Sequence, residues 1–511
     1  MQLYRWMQTS RRIDEFEREL VSRGEAFFQV SAAGHEATAA LASLLHSDDY
    51  LHCHYRDKAL LLARGIPVVE FFNSLLCNNA SHSVGRQMSA HLSAPELNVL
   101  SMVGPVGNNA LQAVGIAHEI KSLPTQPIVL CSMGDGTTQQ GEVLEAIAEA
   151  VRSQLPVLFL VEDNHYSIST RTIGKTFYSL PDGNAESFFG LPIHRVDGSD
   201  AMACAKTFGV LVKRMRKCRE PVLCVMAVER LTNHTNADDE TVYREAAEIH
   251  LAKKNADPIA KIREYLMEVG ISEPKLAQID DAIENDVRIA ADAALDQAAS
   301  QDDFNAALYP PKDRIDRILE YRGTDDISDR INMGTAIRSA LAARMENDPR
   351  ISVYGQDIED PKGDVFGVTR GLSTSYPGRV LNSPLSESTI IGTCIGRALA
   401  GGRPVAFIQF ADFLPLAFNQ LATELSSIAW RTNGKWRAPV VVIAACGGYR
   451  PGLGPFHSAT HEAIFAHLPG IDVAMPSCAA DSAGMLNAAL LHERPTMLLY
   501  PKALLNDQAR S

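Results

Sequence analysis

The sequence predicts an α/β protein made of two parallel-sheet domains with helices on both faces. Three observations lead there. Short, β-rich apolar runs alternate with helix-patterned segments in both halves, the signature of a parallel sheet covered by helices. A charged, helix-patterned stretch followed by a polar break separates the halves. The chain has 511 residues, 46% hydrophobic and 21% charged, the make-up of an ordinary globular protein with room for two to four domains at roughly 100–200 residues each.

The first twenty residues, MQLYRWMQTSRRIDEFEREL, carry Leu3, Met7, Ile13, Phe16 and Leu20 at helical spacing. They lack the uninterrupted apolar core of a signal peptide and predict a helix of a cytoplasmic protein. The clearest strands of the first half are PIVLCSM (127–133), LPVLFLVE (155–162) and PVLCVMAV (221–228). Between the first two lies QGEVLEAIAEAVRS, where Val143, Leu144, Ile147, Ala148 and Val151 make one apolar helical face and complete a βαβ unit.

From Asp238 to about Arg314 the pattern is helical and charged, and YPP then leads through a polar stretch to RGTDDISDR, which places a linker at 308–328. The second half restarts with the helix INMGTAIRSALAARMEND and continues through the strands RISVYG, RPVAFIQF, APVVVIAA, IDVAMP and PTMLLY. Domains are therefore expected at 1–307 and 329–511, with no sequence repeat between them.

Charge and cysteine usage narrow the function. The net charge of -13 argues against a nucleic-acid backbone as partner. No run approaches the ~20 apolar residues of a membrane span. The nine cysteines, Cys53 to Cys478, form no CxxC pair or zinc-finger spacing, and read as buried or free thiols in a reducing compartment. A small-molecule enzyme remains.

Its chemistry is concentrated at strand ends. Gly134-Asp135-Gly136 sits between a strand and a helix, where open α/β sheets bind ligands. Glycines there let the backbone approach a diphosphate, and Asp135 offers a hard oxygen to a divalent cation; alone, the triplet is equally a plain tight turn. The next strand ends in VEDNHYSIST, about thirty residues on. Adjacent parallel strands lie ~5 Å apart, so Asn164 stands close enough to Asp135 to share one magnesium ion with two phosphate oxygens.

This spacing is the thiamine diphosphate motif. HYRDKALLLARG, GRQMSAH, PVGNNALQAVG, GDGTTQQGEVLEAIAEA, EDNHYSIST and ERLTNHT follow in the order of the α subunits of pyruvate and branched-chain 2-oxo acid dehydrogenases, which the first 307 residues resemble. The resemblance implies that Asp135, Asn164 and the Tyr166 carbonyl hold Mg²⁺, with Gly134 and Gly136 shaping the turn. It also implies that Tyr55, Arg56 and His234 contact the diphosphate, a use that suits phenol and guanidinium donors. The alternative for Arg56 is a surface ion pair with Asp57.

The second half, through RVLNSPLSESTIIGTCIGRALAG, FIQFADFLPLAFNQL and FHSATHEAIFAHLPGIDV, resembles the amino-terminal domain of the matching β subunits. Glu387 aligns with the glutamate that bonds the cofactor's aminopyrimidine. There it would favour the imino tautomer, the internal base that a weak carbon acid needs. The apolar TIIGTCIG that follows suits a raised pKa, and the alternative is an exposed glutamate opening a helix after Pro384. Phe413 falls where the family stacks an aromatic ring on the pyrimidine and Val106 where an apolar residue supports the bent cofactor; either could be ordinary core. His234 and His457 are the acid/base candidates, and His91 is a third.

The chain departs from the housekeeping enzymes in several places. The halves are fused. Gln356 stands where the family has glutamate. GPVGNN around Pro105 looks more like a transketolase stretch. The third, carboxy-terminal transketolase-type domain of β subunits is expected to be absent, supplied by a separate chain or lost by truncation.

The resemblance thus implies a thiamine diphosphate- and Mg²⁺-dependent component that takes a 2-oxo acid, by default decarboxylates it, and passes the activated unit to a lipoyl or acyl-carrier partner. A homodimer plus a second polypeptide is the expected assembly. Transfer of a glycolyl unit from a ketose phosphate is the alternative chemistry. A non-catalytic scaffold would have lost Glu387, Asp135 or Asn164, and all three are present.

Overall fold

The computed structural model describes residues 1–297 and 330–507, and the expected linker at 308–328 lies outside them. The chain folds as two compact units, one amino-terminal and one carboxy-terminal. Both are parallel-sheet α/β structures with helices on both faces.

In the first unit the expected strands form as Val129–Gly134 (β2), Val157–Asp163 (β3) and Val222–Ala227 (β10). β2 and β3 are buried along their whole length, which is why their sequences read as unbroken apolar runs rather than alternating ones. The rest of the sheet was not legible in the sequence. Tyr50–His52 (β1) is only three residues long, and Leu191–Asp197 (β9) mixes buried with exposed positions. Five two-residue strands leave no sequence signal either: the hairpin of Tyr166–Ser167 (β4) with Thr170–Arg171 (β5), that of Ser179–Leu180 (β6) with Gly183–Asn184 (β7), and Ser187–Phe188 (β8). The sheet order is β1-β2-β3-β10-β9-β8, parallel except where β8 meets β9.

Gln2–Ser22 is the expected amino-terminal helix and packs on the helix Glu273–Leu295. Gly141–Ser153 is the helix of the βαβ unit, burying Val143, Ala146, Ile147 and Ala150. Leu144, Ala148 and Val151 of the predicted face are only half-buried while Ala146, Glu149 and Ala150 are buried, so the buried stripe is rotated from the one the sequence implied. Local chemistry starts other helices: at the head of Ala201–Cys218 the Asp200 carboxylate accepts from the Met202 and Ala203 amides at 3.0 and 2.9 Å, and Asp257 with Pro258 opens the helix Pro258–Glu268.

In the second unit Asn332 caps the helix Met333–Asn347 through Thr335 N–H at 2.9 Å. The strands are Ile351–Gly355 (β11), Val380–Asn382 (β12), Arg403–Phe410 (β13), Val441–Cys446 (β14), Asp472–Ala474 (β15) and Thr496–Pro501 (β16). All neighbours pair parallel in the order β12-β11-β13-β14-β16-β15. Only β12, again three residues long, went unread in the sequence. Val353, Val405, Phe407, Ile443 and Leu498 form the core of this sheet. All nine cysteines are free thiols.

Candidate active site

In the first unit the carboxyl ends of four neighbouring strands, β1, β2, β3 and β10, open on one cavity of about 360 Å³. Tyr55 and Arg56 reach it from the loop after β1. Gly134, Asp135 and Gly136 follow β2, Asn164 and Tyr166 follow β3, and His234 comes from the segment after β10. Val106 and His91 line it from connecting loops. Val106 is 38% exposed, so it is not ordinary core.

Asp135 is buried and makes no ion pair among the described residues. Its carboxylate accepts from the Thr172 hydroxyl. Burial pushes its pKa up, the Thr172 bond opposes this, and the nearby Asp163 adds to it. A carboxylate so placed is short of a cation. Asn164, also buried, turns its Oδ1 onto the Tyr166 amide at 3.1 Å. The Tyr166 hydroxyl donates to Glu248 at 2.9 Å, and Arg171, Arg230 and Arg244 surround its ring at 5.1 to 5.8 Å.

Gly136 is needed for space: a Cβ there would lie 2.5 Å from the Ser167 hydroxyl. Glycine is thus required here by the approach of the β4 strand, and the Gly136 backbone also lines the cavity. A Cβ on Gly134 would meet His54 Nε2 at an ordinary 3.5 Å.

Arg56 is 1% exposed and has no carboxylate partner among the described residues, so it is not the surface partner of Asp57. It donates to the Ser31 carbonyl, and through Nη2 to the His234 carbonyl at 3.0 Å and to His234 Nδ1 at 3.1 Å. Asp57 faces the other way, accepting from the His54 amide at 3.0 Å and from the Ser132 hydroxyl on β2. The two side chains diverge because Asp57 sits at the N-cap of the helix Lys58–Arg64 while Arg56 points to the cavity.

The segment that carries His234 is stitched to residues 29–34. Gln29 N–H donates to Asn236 Oδ1 at 2.8 Å and Leu231 N–H to the Ala33 carbonyl at 3.2 Å. Gly34 has φ +100°, and a Cβ there would overlap the Glu229 carbonyl. Asp238 accepts from the His234 amide at 2.8 Å and from the Tyr243 hydroxyl at 2.6 Å, and Tyr243 accepts in turn from Arg230 at 2.6 Å.

His234 was singled out because imidazole titrates near neutrality, and here that reason is corrected. Burial, then the Arg56 and Arg230 guanidiniums, push it down to about 4. It is a neutral ring whose Nδ1 accepts from Arg56, leaving Nε2–H as a donor. His91 is also buried and pushed down by burial; its Nδ1–H donates to the Ser89 carbonyl at 2.9 Å, and its ring stacks on Tyr55 at 5.9 Å.

Sequence reading missed several residues. Arg230 is 2% exposed and, like Arg56, has no carboxylate partner among the described residues. It sits four residues before His234 in ERLTNHT, a stretch read only for its histidine. His35, His54 and Glu162 are the only described trio of metal-ligating type close enough to hold an ion. Neutral His35 donates to Glu162 at 2.6 Å; despite burial, the two histidines hold the Glu162 carboxylate down to about 2. No local pattern links residues 35, 54 and 162.

The cavity therefore combines a buried carboxylate, Asp135, and a buried guanidinium, Arg56, neither with an ion-pair partner among the described residues, and the buried Arg230 lies behind His234. A divalent cation bound to a diphosphate answers both deficits, and the donor set fits: hard oxygens for the ion, N–H groups for the phosphates.

Glu387, Phe413 and His457 belong to the second unit. Glu387 is the first residue of the helix Glu387–Leu399, half-buried, and accepts from Gln356 Nε2 at 3.1 Å. Phe413 and His457 sit edge-to-face at 5.7 Å, with Phe410 between them in the same cluster. Lys502 donates to the His457 carbonyl at 2.7 Å and lies over the Phe410 ring.

Two parallel sheets with polar residues gathered at their carboxyl edges define the class, a paired-domain α/β cofactor-binding protein. The chain belongs to the dehydrogenase E1 component family, which residues 4–303 match, and residues 329–508 match the transketolase pyrimidine-binding domain. An α-type and a β-type domain are thus fused on one polypeptide, and both domain types point to thiamine diphosphate, with Mg²⁺ its usual companion.

The carboxy-terminal half is similar to the 2-oxoisovalerate dehydrogenase subunit beta of Bacillus subtilis, 43% identical over 168 residues, 33% of this chain and 51% of that protein. The amino-terminal half is similar to the 2-oxoisovalerate dehydrogenase subunit alpha 1, mitochondrial, of Arabidopsis thaliana, 30% identical over 274 residues, 53% of this chain and 57% of that one. The pyruvate dehydrogenase E1 component subunit beta of Leifsonia xyli is 36% identical over 170 residues, 33% of this chain and 50% of that protein. The chain spans about half the length of these curated relatives. Among the described residues no helix is long and apolar enough to cross a membrane.

Proposed function

We propose that this protein is the thiamine diphosphate-dependent component that decarboxylates a 2-oxo acid and passes the resulting acyl unit to a lipoyl group of a partner protein. The observation that carries the reading is the charge pattern of the first unit's cavity, with Asp135 buried beside Asn164 and Tyr166, and Arg56 buried beside His234.

Asp135, the Asn164 amide oxygen and the Tyr166 carbonyl would hold Mg²⁺. Arg56, Tyr55 and the His234 Nε2–H would hold the diphosphate, while Gly134 and Gly136 keep the turn narrow and Val106 meets the bent cofactor. When bound, thiamine diphosphate supplies a nucleophilic carbon for the 2-oxo acid carbonyl and an electron sink for loss of the carboxylate. Glu387 would hold and return a proton at the aminopyrimidine, and Phe413 would offer it an aromatic face. His457 and His91 are the rings that would orient a carboxylate or carry a proton. Arg56 sets the His234 tautomer, so His234 serves as a donor while it stays neutral.

The assembly read from the sequence, a homodimer working with a second, lipoyl-bearing polypeptide, is part of the same proposal. Light scattering of the purified chain, alone and with its partner, tests it.

The deciding experiment supplies the protein with thiamine diphosphate, Mg²⁺ and an artificial electron acceptor, and follows carbon dioxide release from branched and unbranched 2-oxo acids. Turnover of a 2-oxo acid that depends on both additions supports the reading. Release of an aldose phosphate from a ketose phosphate, with no carbon dioxide from any 2-oxo acid, replaces it with ketol transfer.

A further inference from the structure

Gln356 follows directly on β11 and is 3% exposed. Its backbone carbonyl accepts from Gln409 Nε2, and Gln409, 4% exposed on β13, uses its own Oε1 to accept from the Val365 amide at 3.2 Å. The backbone of Gln356 is thereby held. Its Nε2 donates to Glu387 Oε1 at 3.1 Å, and among the described residues no other side chain bonds that carboxylate. In this bond the amide NH₂ donates and the carboxylate oxygen accepts.

We infer that Gln356 is a positioning residue for Glu387: it ties down one carboxylate oxygen from a strand end and leaves the other as the oxygen that meets a ligand N–H. This rests on the reading of Glu387 as the partner of the cofactor's aminopyrimidine. The amide also decides what the pair cannot do. Two carboxyl groups at this separation hold one proton between them and pass it from one to the other. An amide neither keeps nor relays a proton, so Glu387 exchanges its proton with the bound ring and water alone, not with a second acid behind it.

The test uses the full chain and three variants, Gln356→Glu, Gln356→Met and Glu387→Gln. Affinity for thiamine diphosphate with Mg²⁺ is measured by calorimetry in two buffers of different protonation enthalpy, which yields the number of protons taken up on binding. Melting of each ligand-free variant checks its fold. Gln356→Met should bind about tenfold more weakly and take up protons as wild type does, because Glu387 remains but is no longer aimed. Gln356→Glu should take up about one proton fewer, the acid pair already holding one. A merely structural role for Gln356 would not move the proton count. Wild-type affinity in Gln356→Met, or a wild-type proton count in Gln356→Glu, overturns the inference; if Gln356→Glu does not fold, the methionine variant decides alone. Glu387→Gln separates the two levels. A wild-type proton count there removes the underlying reading of Glu387, whereas its loss there, with both Gln356 variants like wild type, removes only the inference.

Discussion

Replacing Asp135 with Asn should stabilise the ligand-free protein and abolish the further stabilisation that the cofactor brings. Asp135 is buried, makes no ion pair among the described residues, and has its pKa raised by burial. A carboxyl whose folded pKa lies above its unfolded one binds protons more tightly in the folded state. Its ionisation therefore costs stability at neutral pH and above, and the cost vanishes as pH falls below the unfolded carboxylate range. Asparagine removes the charge and can still accept from Thr172, so the ligand-free variant should gain on the order of 1–3 kcal/mol, the range for an unsatisfied buried polar group. At roughly 2–4 °C per kcal/mol for a domain of this size, its melting temperature rises by several degrees.

With Mg²⁺ and thiamine diphosphate at a hundredfold excess over Kd, the wild type gains about 2.7 kcal/mol. The variant, lacking the charged ligand for the ion, should gain nothing. Differential scanning fluorimetry with and without both additions measures all four temperatures at pH 7.5, and repetition near pH 4 should shrink the difference between the ligand-free proteins. A ligand-free Asp135→Asn that melts below wild type, or one that gains the full shift from the cofactor, would refute the reasoning.

Arg56→Met should weaken cofactor binding by roughly 10- to 100-fold in calorimetry, as expected for loss of a charge-assisted bond; unchanged affinity would move the diphosphate elsewhere. His234 is pushed down to about 4. Its folded pKa lies below the unfolded one, so stability should rise with pH between about 4 and 6.5. His234→Asn should flatten that part of the denaturation profile, and NMR of the ligand-free imidazole should place its midpoint near 4. Glu387→Gln should keep the cofactor bound yet slow deuterium exchange at its thiazolium carbon by at least about 100-fold, read by NMR after acid quench. Chelation of Mg²⁺ with EDTA should release thiamine diphosphate, followed by equilibrium dialysis.

Strand sequences such as VLCSMG and VLFLVED announce themselves because a parallel strand buried on both faces must be apolar throughout, and the helix between them shows its inward stripe at 3.6-residue spacing. Those two patterns suffice for the fold class, and GDG and Asn164, at the ends of consecutive strands, are brought to one cavity by the strand spacing alone. Short elements leave no such trace. β1 and β12 have three residues each, too few for a period to appear, and the equally short β15 is legible only through the longer run IDVAMP around it.

What the sequence could not determine is which polar groups would be left without partners. Arg56 and Asp57 are adjacent in the chain and opposite in charge, yet the backbone turns one toward Ser31 and His234 and the other toward Ser132. His35, His54 and Glu162 meet from three separate segments, and Gln356 reaches Glu387 only because β11 ends beside the start of the helix Glu387–Leu399. Burial, and the loss of competing water that comes with it, exists only once distant segments pack. The tertiary structure therefore decided that His234 is held low, and that Asp135 and Arg56 are buried with no ion-pair partner among the described residues.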